Sequence, residues 1–572
     1  MQKTAADGCI YRKNRFPEHI FRMAGTGLRE GRDVSRNRKR YLFSQLNGNR
    51  KGAFMKQTTL EEAKKLNASG NFQRLPVYRE IFSDIRTPVE ALKILKGVSS
   101  HCFLLESIED RERWGRYTFL GYDPTMELTC VDGRMTMKIR MDRETPDGTG
   151  DAAGTDRPGS LSGQEGFQIK TWMTRSPQEE IRRLLEENRS PKVEGLPTFS
   201  GGLVGYFSYD YLKYSEPSLK FFPKTEDDFR DMDLMMFDKV IAFDNFRQKI
   251  FLIVHIRTEQ LEREYERAVK TLDEMEQLLE YRTPAKLEPG RLTSEFRQAF
   301  SREEYCRKVE QIKEHIREGD IFQLVLANPM EADFEGSLLN TYRVLRTTNP
   351  SPYMLYFSGD DLEIAGASPE TLVKVTDGEV RTFPLAGTRP RGKTPREDLD
   401  LERELLADEK ELAEHNMLVD LGRNDLGKIS RFGTVSVDKY LSVERFSHVM
   451  HIGSEVHGQL KPEFTAVDAV DAVLPAGTLS GAPKIRACEI IHELEGRNRG
   501  IYGGAIGYLD FTGNMDTCIS IRLAYKRKGK VYVCSGAGIV ADSVPEKEYE
   551  ECRNKARAVI QALEDGERGR IR

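Results

Sequence analysis

Two pairs of glutamates have the residue type and spacing of a metal-binding site. Glu411 and Glu414 are three residues apart in a stretch with a helical pattern, and Glu548 and Glu551 repeat this spacing near the end of the chain. Residues at i and i+3 share one face of a helix, where like charges repel. In a desolvated cleft such carboxylates need a cation, and an all-oxygen set suits Mg²⁺. The alternative is two solvated acidic faces, which the pattern alone leaves open.

Four segments rich in glycine occur around these helices in the sequence. Glycine permits tight turns and lets backbone N–H groups approach an anionic ligand. Each segment taken alone also fits a packing or turn role. The pattern Gly-x-Gly-x-x-Gly does not occur, so a dinucleotide site has no support. The segments are residues 384–389, 477–484, 502–508 and 535–540.

The elements that must position these residues alternate between helix and strand. The predicted class is therefore mixed α and β, with strands too scattered for a Rossmann arrangement. Residues 283–291 contain two prolines and a glycine and predict a domain boundary. The longest predicted helices are residues 259–281, 303–318, 397–421 and 545–563, and predicted strands include residues 249–256, 321–326 and 353–357.

The composition excludes several classes of protein. Of 572 residues, 38% are hydrophobic and 31% are charged, which excludes a mostly disordered chain. No apolar run approaches the roughly 18 residues of a membrane span, and the net charge of −4 does not indicate a nucleic-acid partner. The eight cysteines stand alone without a Cys-x-x-Cys pair, so we expect a reducing, cytoplasmic compartment.

The first 54 residues differ from the rest of the chain. They contain 13 Lys and Arg but four Asp and Glu. We predict a disordered basic extension, with Met55 as the working start of translation, and the alternative is a nucleic-acid or targeting arm. Residues 142–166 are rich in Gly, Asp, Thr, Pro and Ser and predict a flexible insertion.

Seven stretches carry a family resemblance, and they occur in the family's order and spacing. The chain from about residue 76 to residue 563 resembles the component I subunits of anthranilate synthase, a family of chorismate-utilising enzymes. Residues 1–54 have no counterpart in that family. The matching stretches are residues 104–107, 349–354, 366–370, 384–389, 411–425, 477–484 and 542–558.

The resemblance implies an architecture and a reaction. It implies an α+β fold in which antiparallel sheets form a β-sandwich core flanked by helices. An N-terminal domain would cover residues 55–285, and a chorismate-binding catalytic domain would cover residues 292–566. The family reaction joins ammonia to chorismate and then eliminates pyruvate to leave anthranilate, with Mg²⁺ as cofactor. No glutaminase-like part follows in this sequence, so we expect a separate glutamine amidotransferase subunit (component II), in a heterotetramer of two of each.

The resemblance also assigns roles to single residues. Glu370 resembles the general acid that protonates the departing hydroxyl, a role for which a raised pKa is expected. His451 resembles the residue that assists pyruvate elimination, and Gln323 and Thr388 are further catalytic candidates. The four glutamates Glu411, Glu414, Glu548 and Glu551 match the magnesium ligands. The matching substrate contacts are Thr478, Tyr502, Arg522, Gly536, Ala537, Gly538 and Lys555.

Two positions separate related activities within the family. Relatives that add water carry a lysine base where this chain has Gln323, and an amide cannot deprotonate water. Aminodeoxychorismate synthases usually carry a lysine that forms a covalent intermediate where this chain has Ala386. Both positions favour anthranilate as the product. The alternatives are an aminodeoxychorismate synthase component I and a non-catalytic, tryptophan-sensing paralogue.

The resemblance further implies a feedback pocket for tryptophan in the N-terminal half. Glu106 would bind the ammonium group of tryptophan, and Tyr353 would border the indole ring. The alternative interpretation of residues 104–107 is an ordinary strand end. The residues that match the pocket are Glu106, Ser107, Arg116, Pro352, Tyr353, Met354 and Cys518.

Overall fold

The computed structural model describes residues 56–107, 115–141, 160–164, 166–226, 228–445 and 449–568. The predicted basic extension of residues 1–54 lies outside these ranges, and so do residues 142–159 of the predicted insertion. Residues 160–164, near the other end of that insertion, form a strand.

Helices begin where the sequence offers capping groups. The Ser301 hydroxyl accepts a hydrogen bond from the Glu304 N–H, and the Glu304 carboxylate accepts one from the Ser301 N–H. In the described ranges no helix is long and apolar enough to cross a membrane. The helices are α1 Leu60–Ala68, α2 Pro88–Lys96, α3 Pro177–Glu186, α4 Leu261–Tyr281, α5 Arg302–Glu318, α6 Leu339–Thr348, α7 Pro395–Ala407, α8 Glu409–Ile429, α9 Ala466–Val473, α10 Lys484–Glu495 and α11 Pro545–Arg568, with 3-10 segments at Tyr209–Tyr214 and Gly477–Leu479.

The predicted helix over residues 397–421 is two helices, α7 and α8. Asp408 lies between them in an extended conformation, and its carboxylate accepts hydrogen bonds from the N–H groups of Lys410 (3.1 Å) and Glu411 (3.3 Å). Aspartate is a preferred N-cap residue because its side chain satisfies N–H groups that have no partner within the helix. The prediction of one continuous helix is therefore wrong at Asp408.

The strands form two antiparallel sheets. The strands are β1 Lys56–Gln57, β2 Arg74–Phe82, β3 Cys102–Glu106, β4 Tyr117–Tyr122, β5 Met126–Val131, β6 Arg134–Arg140, β7 Ser160–Gln164, β8 Phe167–Met173, β9 Gly202–Phe207, β10 Met232–Phe237, β11 Lys239–Asp244, β12 Lys249–Arg257, β13 Arg291–Leu292, β14 Arg297–Gln298, β15 Gln323–Glu335, β16 Tyr353–Ser358, β17 Leu362–Ser368, β18 Thr371–Thr376, β19 Glu379–Thr382, β20 Leu385–Pro390, β21 Ser436–Arg445, β22 Val449–Gln459, β23 Gly481–Ala482, β24 Ala505–Asp510, β25 Met515–Ile519, β26 Leu523–Arg527 and β27 Lys530–Ile539. The larger sheet has the order β1-β2-β12-β11-β4-β3-β16-β17-β26-β27-β15-β13, with β14 and β23 also paired to β15. The second sheet has the order β20-β22-β19-β18-β25-β24-β9-β10-β5-β6-β8-β7, with β21 paired to β22.

Aromatic side chains from both sheets pack between them. Phe103 and Phe119 of the larger sheet contact Phe199 edge-on, with ring centroids 6.1 and 5.6 Å apart. Tyr508 of the second sheet lies 4.6 Å from the same ring. Such tilted pairs bury large apolar areas and pack as protein interiors do. The predicted α+β fold with a β-sandwich core flanked by helices is confirmed.

The two halves of the chain share both sheets. In the larger sheet β3 pairs with β16, which brings Glu106 opposite Met354. In the second sheet β9 pairs with β24, which brings Tyr206 opposite Ile506. Residues 54–572 accordingly form one compact unit. Any site built at these pairings contains side chains from both sides of the predicted boundary at residues 283–291.

Candidate active site and second cavity

Glu370 lies in the tight connection between β17 and β18. Its backbone carbonyl accepts a hydrogen bond from Ile519 N–H (2.9 Å), and the buried Ser368 hydroxyl donates to the Ile519 carbonyl (2.7 Å). The Thr478 hydroxyl donates to one carboxylate oxygen of Glu370 (2.9 Å). Burial raises the pKa of Glu370 to about 7, although Thr478 and Lys555 act in the opposite direction. Near neutral pH a large fraction of the molecules therefore keeps a proton on this carboxyl, which can donate it.

His451 lies on β22, directly opposite Thr388 of β20. Its Nδ1 is 2.8 Å from the Gly387 carbonyl oxygen and 3.1 Å from the Thr388 hydroxyl. A carbonyl can only accept, so Nδ1 carries the proton and Nε2 does not. Burial lowers the pKa of His451, which keeps the imidazole neutral. The ring can then accept a proton at Nε2.

The two glutamate pairs face one another across α8 and α11. Burial, and next the charge of Glu411, raise the pKa of Glu414, and Glu551 on the other helix adds to this effect. Burial also raises the pKa of Glu548, with a further contribution from Glu551. Lys555 forms an ion pair with Glu551 (2.7 Å). Burial and repulsion by neighbouring acids therefore act on Glu414 and Glu548, while Lys410 and Lys555 offset part of the effect.

The carboxylate oxygens of the four glutamates fit a magnesium ion chemically, but they do not lie close together. In the described ranges, no three of the four glutamates have carboxylate oxygens that all lie within 4.8 Å of one another. The four glutamates therefore do not form a closed cage. Mg²⁺ prefers oxygen ligands and keeps several waters, so it suits a few separated carboxylates better than a full protein shell.

A cavity of about 570 Å³ lies beside α11, and Arg522 and Lys555 line it. Arg522 adopts a left-handed backbone conformation (φ 54°), and its guanidinium donates to the Lys555 carbonyl (2.6 Å). Burial lowers the pKa of Arg522, although the guanidinium remains a cation at neutral pH. Glu546, Glu550 and Glu551 line the cavity too, so it presents both positive and negative charge and includes one predicted magnesium ligand, Glu551.

The glycines of β27 have different surroundings. A Cβ at Gly536 would lie 2.9 Å from the Tyr502 hydroxyl, so glycine is needed for this close approach, whereas a Cβ at Gly538 would meet no atom within 4 Å. Ala537, between them, is buried in an apolar cluster. Its methyl group therefore packs in the core. Gln323 is buried at the start of β15, opposite Ala482.

Residues 387–394 match the pattern Gly-x-x-x-x-Gly-Lys-Thr of a nucleotide-binding loop, but the structure does not form such a loop. Gly387 is part of β20, and Thr394 caps α7. Carboxylates already accept from the nearby N–H groups: Asp398 from Gly392 (2.8 Å) and Glu397 from Lys393 (2.8 Å). A phosphate would meet negative charge there, so this segment is not a phosphate cradle.

Sequence reasoning missed a buried ion pair behind the site. The Lys484 amine donates to the Asp425 carboxylate (2.6 Å) and to the Val473 carbonyl (3.0 Å). The pair connects the glycine-rich segment 477–484 to α8. Both residues lie within the stretches that carry the family resemblance, which was the available signal.

A second cavity, of about 290 Å³, opens where β3 pairs with β16, and all seven residues predicted for the feedback pocket line it. Besides Tyr353, three further aromatic rings line it, those of Tyr117, Phe119 and Tyr508, which sequence reasoning missed. Asp516 and Lys374 also line the cavity and form an ion pair (2.9 Å). An aromatic surface with separate positive and negative groups suits an aromatic amino acid.

Glu106 is already engaged in this structure. Its carboxylate accepts hydrogen bonds from the Tyr342 hydroxyl and from the Arg346 guanidinium (2.5 and 3.2 Å). Arg116 is paired with Asp244 (2.9 Å). A ligand ammonium would therefore have to share Glu106 or bind the other carboxylate of the cavity, Asp516.

The second cavity is connected to the candidate acid by Tyr353. The Tyr353 hydroxyl is 2.7 Å from the Asp516 carboxylate, to which it donates, and 2.8 Å from the Thr371 hydroxyl. Thr371 follows Glu370 in the chain. A ligand that displaced Tyr353 would therefore act on the segment that holds Glu370.

Comparisons with known proteins agree with this architecture. The family model described as chorismate binding enzyme matches residues 138–561. Anthranilate synthase component 1 of Acetivibrio thermocellus is 42% identical over 522 residues, covering 90% of this chain and 99% of that protein. The protein of the same name from Acinetobacter calcoaceticus is 43% identical over 525 residues, covering 90% of this chain and 100% of that protein.

Solved structures show the same fold. The crystal structure of anthranilate synthase component I from Streptococcus pneumoniae TIGR4 is 36% identical, with a TM-score of 0.65, and the match covers 84% of this chain and 98% of that one. The menaquinone-specific isochorismate synthase of Escherichia coli is 19% identical, with a TM-score of 0.60, and covers 88% of this chain and 98% of that one. The second likeness concerns the fold alone.

The paired antiparallel sheets and the matched family model define the class, and the chain belongs to the family of chorismate-binding enzymes. Within that family, its relatives of about 42% identity over 90% of the chain are anthranilate synthase component 1 proteins.

Proposed function

We propose that this chain is the aminating and pyruvate-eliminating subunit of an anthranilate synthase. It would convert chorismate and ammonia to anthranilate and pyruvate, with a glutamine amidotransferase partner as the source of ammonia, and tryptophan would inhibit it. The observation that carries the proposal is the buried Glu370 carboxyl, whose pKa burial raises to about 7 and which is influenced by Lys555, the ion-pair partner of Glu551.

In the proposed mechanism Glu370 is the general acid. Hydroxide is a poor leaving group, so its departure from the chorismate ring needs a proton, and a carboxyl that titrates near neutral pH can supply it. The Thr478 hydrogen bond fixes the orientation of that carboxyl. Ammonia then bonds to the ring carbon next to the one that carries the carboxylate as the double bonds shift and water leaves.

The second step uses His451. Its Nε2, which lacks a proton, can remove the ring proton as the enolpyruvyl C–O bond breaks and pyruvate leaves, which makes the ring aromatic. The Gly387 carbonyl sets the tautomer. Arg522 and Lys555 supply positive charge for the carboxylates of the substrate, and a guanidinium can bind a carboxylate through two parallel hydrogen bonds.

Magnesium is part of the proposal. Glu411, Glu414, Glu548 and Glu551 would hold it, directly or through water. When bound, the ion acts as a Lewis acid that anchors a carboxylate and polarises the departing hydroxyl. The glutamates themselves prepare the site, because their mutual repulsion is relieved when a cation binds.

Two side chains support ammonia as the nucleophile, because neither can activate water or form a covalent intermediate. Gln323 is a buried amide and cannot serve as a base for water. Ala386, buried on β20, has no nucleophilic atom. Ammonia needs neither a base nor a covalent intermediate to attack, so these residues favour direct amination.

The proposed regulation rests on the second cavity. Tryptophan would place its indole against the aromatic wall and its charged ends against Arg116 and one of the two carboxylates, Glu106 or Asp516. Because Tyr353 connects this cavity to Thr371, bound tryptophan and bound chorismate would disfavour each other, and this coupling is reciprocal. We also propose that the chain forms a heterotetramer with its amidotransferase partner and that it is located in the cytoplasm.

The test is to incubate the purified full chain with chorismate, ammonium and Mg²⁺ and to measure anthranilate fluorescence and pyruvate. We expect both products in equal amounts, none with EDTA, and a rate about 10²- to 10⁴-fold lower with a Glu370→Gln variant. An aminated product without pyruvate would identify an aminodeoxychorismate synthase instead. If chorismate is not consumed although tryptophan binds, the chain is a sensing paralogue.

A further inference from the structure

Arg499 is a charged residue in the interior that no step above uses. It lies in the connection between α10 and β24, and its side chain is 2% exposed. Its guanidinium forms a two-pronged ion pair with Glu495, the last residue of α10, whose side chain is also 2% exposed (2.5 and 2.9 Å). Glu495 in turn accepts a hydrogen bond from the Ala327 N–H of β15 (3.0 Å).

The remaining donors of Arg499 reach two segments of the candidate active site. One nitrogen donates to the Leu479 carbonyl (2.6 Å), in the 3-10 segment that carries Thr478. Another donates to the Val325 carbonyl (2.7 Å), on the strand that begins with Gln323. One side chain therefore connects α10 with the two segments that carry Thr478 and Gln323.

Aromatic rings cover the same guanidinium. The centre of the guanidinium lies 4.7 Å from the Tyr209 ring centroid and 5.7 Å from that of Tyr502. Cation–ring contacts of this kind are attractive and are stronger when water is excluded. Tyr502, a predicted substrate contact, is thus a third part of the site that Arg499 touches.

Stability alone is a weak explanation for such a pair. Burying two charges costs several kcal/mol of hydration each, and replacing a buried pair by apolar side chains of similar volume is often neutral or stabilising (roughly 0 to 4 kcal/mol). An arginine with five donors in a fixed planar fork can, however, hold several carbonyl groups at set distances. The arrangement therefore suits a positioning role.

We infer that Arg499, held by Glu495, is a positioning residue that places the 3-10 segment Gly477–Leu479 so that the Thr478 hydroxyl meets the Glu370 carboxyl. The inference rests on the proposed role of Glu370 as the acid. Arg499 does not touch Glu370, so it acts through Thr478.

This role predicts how the acid titrates. The Thr478 hydrogen bond lowers the pKa of Glu370 and so opposes the effect of burial. If Arg499 no longer holds the segment, this hydrogen bond lengthens or breaks and the pKa of Glu370 rises. A side chain that only stabilised the fold would change the melting temperature without moving this titration.

The experiment measures the Glu370 titration directly and needs no turnover. In infrared difference spectra the carboxyl band of Glu370 is identified by its loss in Glu370→Gln, and it is then followed against pH in the full chain. The variants are Arg499→Lys, the double variant Arg499→Met with Glu495→Met, and Thr478→Ala. The double variant leaves no unpaired charge and is designed to fold. The matched control is Arg183→Lys, which alters an exposed i,i+4 pair with Glu187 on α3.

We expect the Glu370 titration to move to higher pH in both Arg499 variants and in Thr478→Ala, and to stay unchanged in Arg183→Lys. Thr478→Ala added to the double variant should give no further shift, because both changes act on one contact. Where the chain makes anthranilate, kcat/KM of the Arg499 variants should be lower by about ten- to a hundredfold at a fixed concentration of free ammonia.

The inference is overturned if Glu370 titrates as in the wild type in both Arg499 variants, or if Thr478→Ala itself does not move the titration. Failure of the proposed function has a different signature, namely no anthranilate from the wild-type chain. The infrared titration still decides the positioning role in that case.

Discussion

In the candidate active-site cleft, burial and then neighbouring acids raise the pKa of Glu414 and Glu548, whereas in the second cavity each acid has a basic partner. Glu106 is paired with Arg346, and Asp516 with Lys374. Arg116, at the cavity wall, is likewise paired with Asp244. In the first region Lys410 and Lys555 offset only part of the effect of burial and repulsion on these two carboxyls, and in the second region the carboxylates are already matched by basic side chains.

This difference teaches what each region can bind. A cation bound by the acids of the proposed magnesium site would relieve their repulsion, and it would compete with Lys555 for Glu551. A ligand in the second cavity must exchange existing ion pairs for its own, so it changes the protein as it binds. Such an exchange is what a regulatory site requires, because a ligand shifts an equilibrium only through contacts that differ between two states.

The largest effect is expected from removing the acid of the cleft. Glu370→Gln keeps the size and the Thr478 contact of the side chain but cannot donate a proton, so kcat should fall about 10²- to 10⁴-fold. Circular dichroism and melting temperature should match the wild type. Full activity of this variant would remove Glu370 from the mechanism.

The next effect concerns the cation itself. Titration of the metal-free chain with Mg²⁺ should raise its melting temperature, with a gain of about 2.7 kcal/mol at a hundredfold excess over the dissociation constant. Glu414→Gln should raise the Mg²⁺ concentration needed for activity by about tenfold or more. A cleft that does not bind Mg²⁺ would show neither change.

The stabilisation by Mg²⁺ should depend on pH, because the pKa values of Glu414 and Glu548 are raised. For Glu414 and Glu548 the folded pKa lies above the unfolded one, so their contribution to stability is present at low pH and is lost as pH rises through the folded pKa. Because Mg²⁺ binds the ionised acids, the thermal shift that it causes should be larger at pH 8 than at pH 5. Equal shifts at both pH values would contradict the proposed ligands.

A smaller effect is expected in the second cavity. Ser107→Phe fills the cavity, so it should weaken inhibition by tryptophan about tenfold or more while kcat stays close to that of the wild type. Comparing Glu106→Gln with Asp516→Asn identifies the carboxylate that binds the ammonium group. The measurement is the tryptophan concentration that halves the rate. Unchanged inhibition in Ser107→Phe would place the effector elsewhere.

The smallest effect is expected at Thr388. Its hydroxyl contacts His451 Nδ1, but the Gly387 carbonyl already holds that nitrogen. Thr388→Val should therefore lower kcat only about two- to tenfold, as for a single neutral hydrogen bond. A loss comparable to that of Glu370→Gln would mean that Thr388 itself takes part in the chemistry.

Local signals in the sequence predicted much of this molecule. The capping residues Ser301 and Glu304 start α5 where the pattern places a helix. The i,i+3 spacing of the glutamates led to the prediction that they share helix faces. The raised pKa values of Glu414 and Glu548 agree with it, because after burial the neighbour three residues away contributes to each shift. Such signals depend on neighbours within about one helical turn, which the sequence displays directly.

Signals between distant residues were harder to read. The break at Asp408 depends on whether one carboxylate turns back to cap α8, a choice between two local arrangements. The ion pair of Lys484 with Asp425 joins residues 59 positions apart. Asp516 and Lys374 form a pair only because β18 and β25 lie side by side.

By itself, the sequence determined the residue types, their helical spacing and the order of motifs that carry the family resemblance, because these are properties of chain neighbours. The tertiary structure alone decided that both halves share two sheets, that Glu106 is held by Arg346, and that one buried arginine reaches three segments of the site. Those contacts depend on strand register and on which charges lose their water, and both are set only when distant segments pack together.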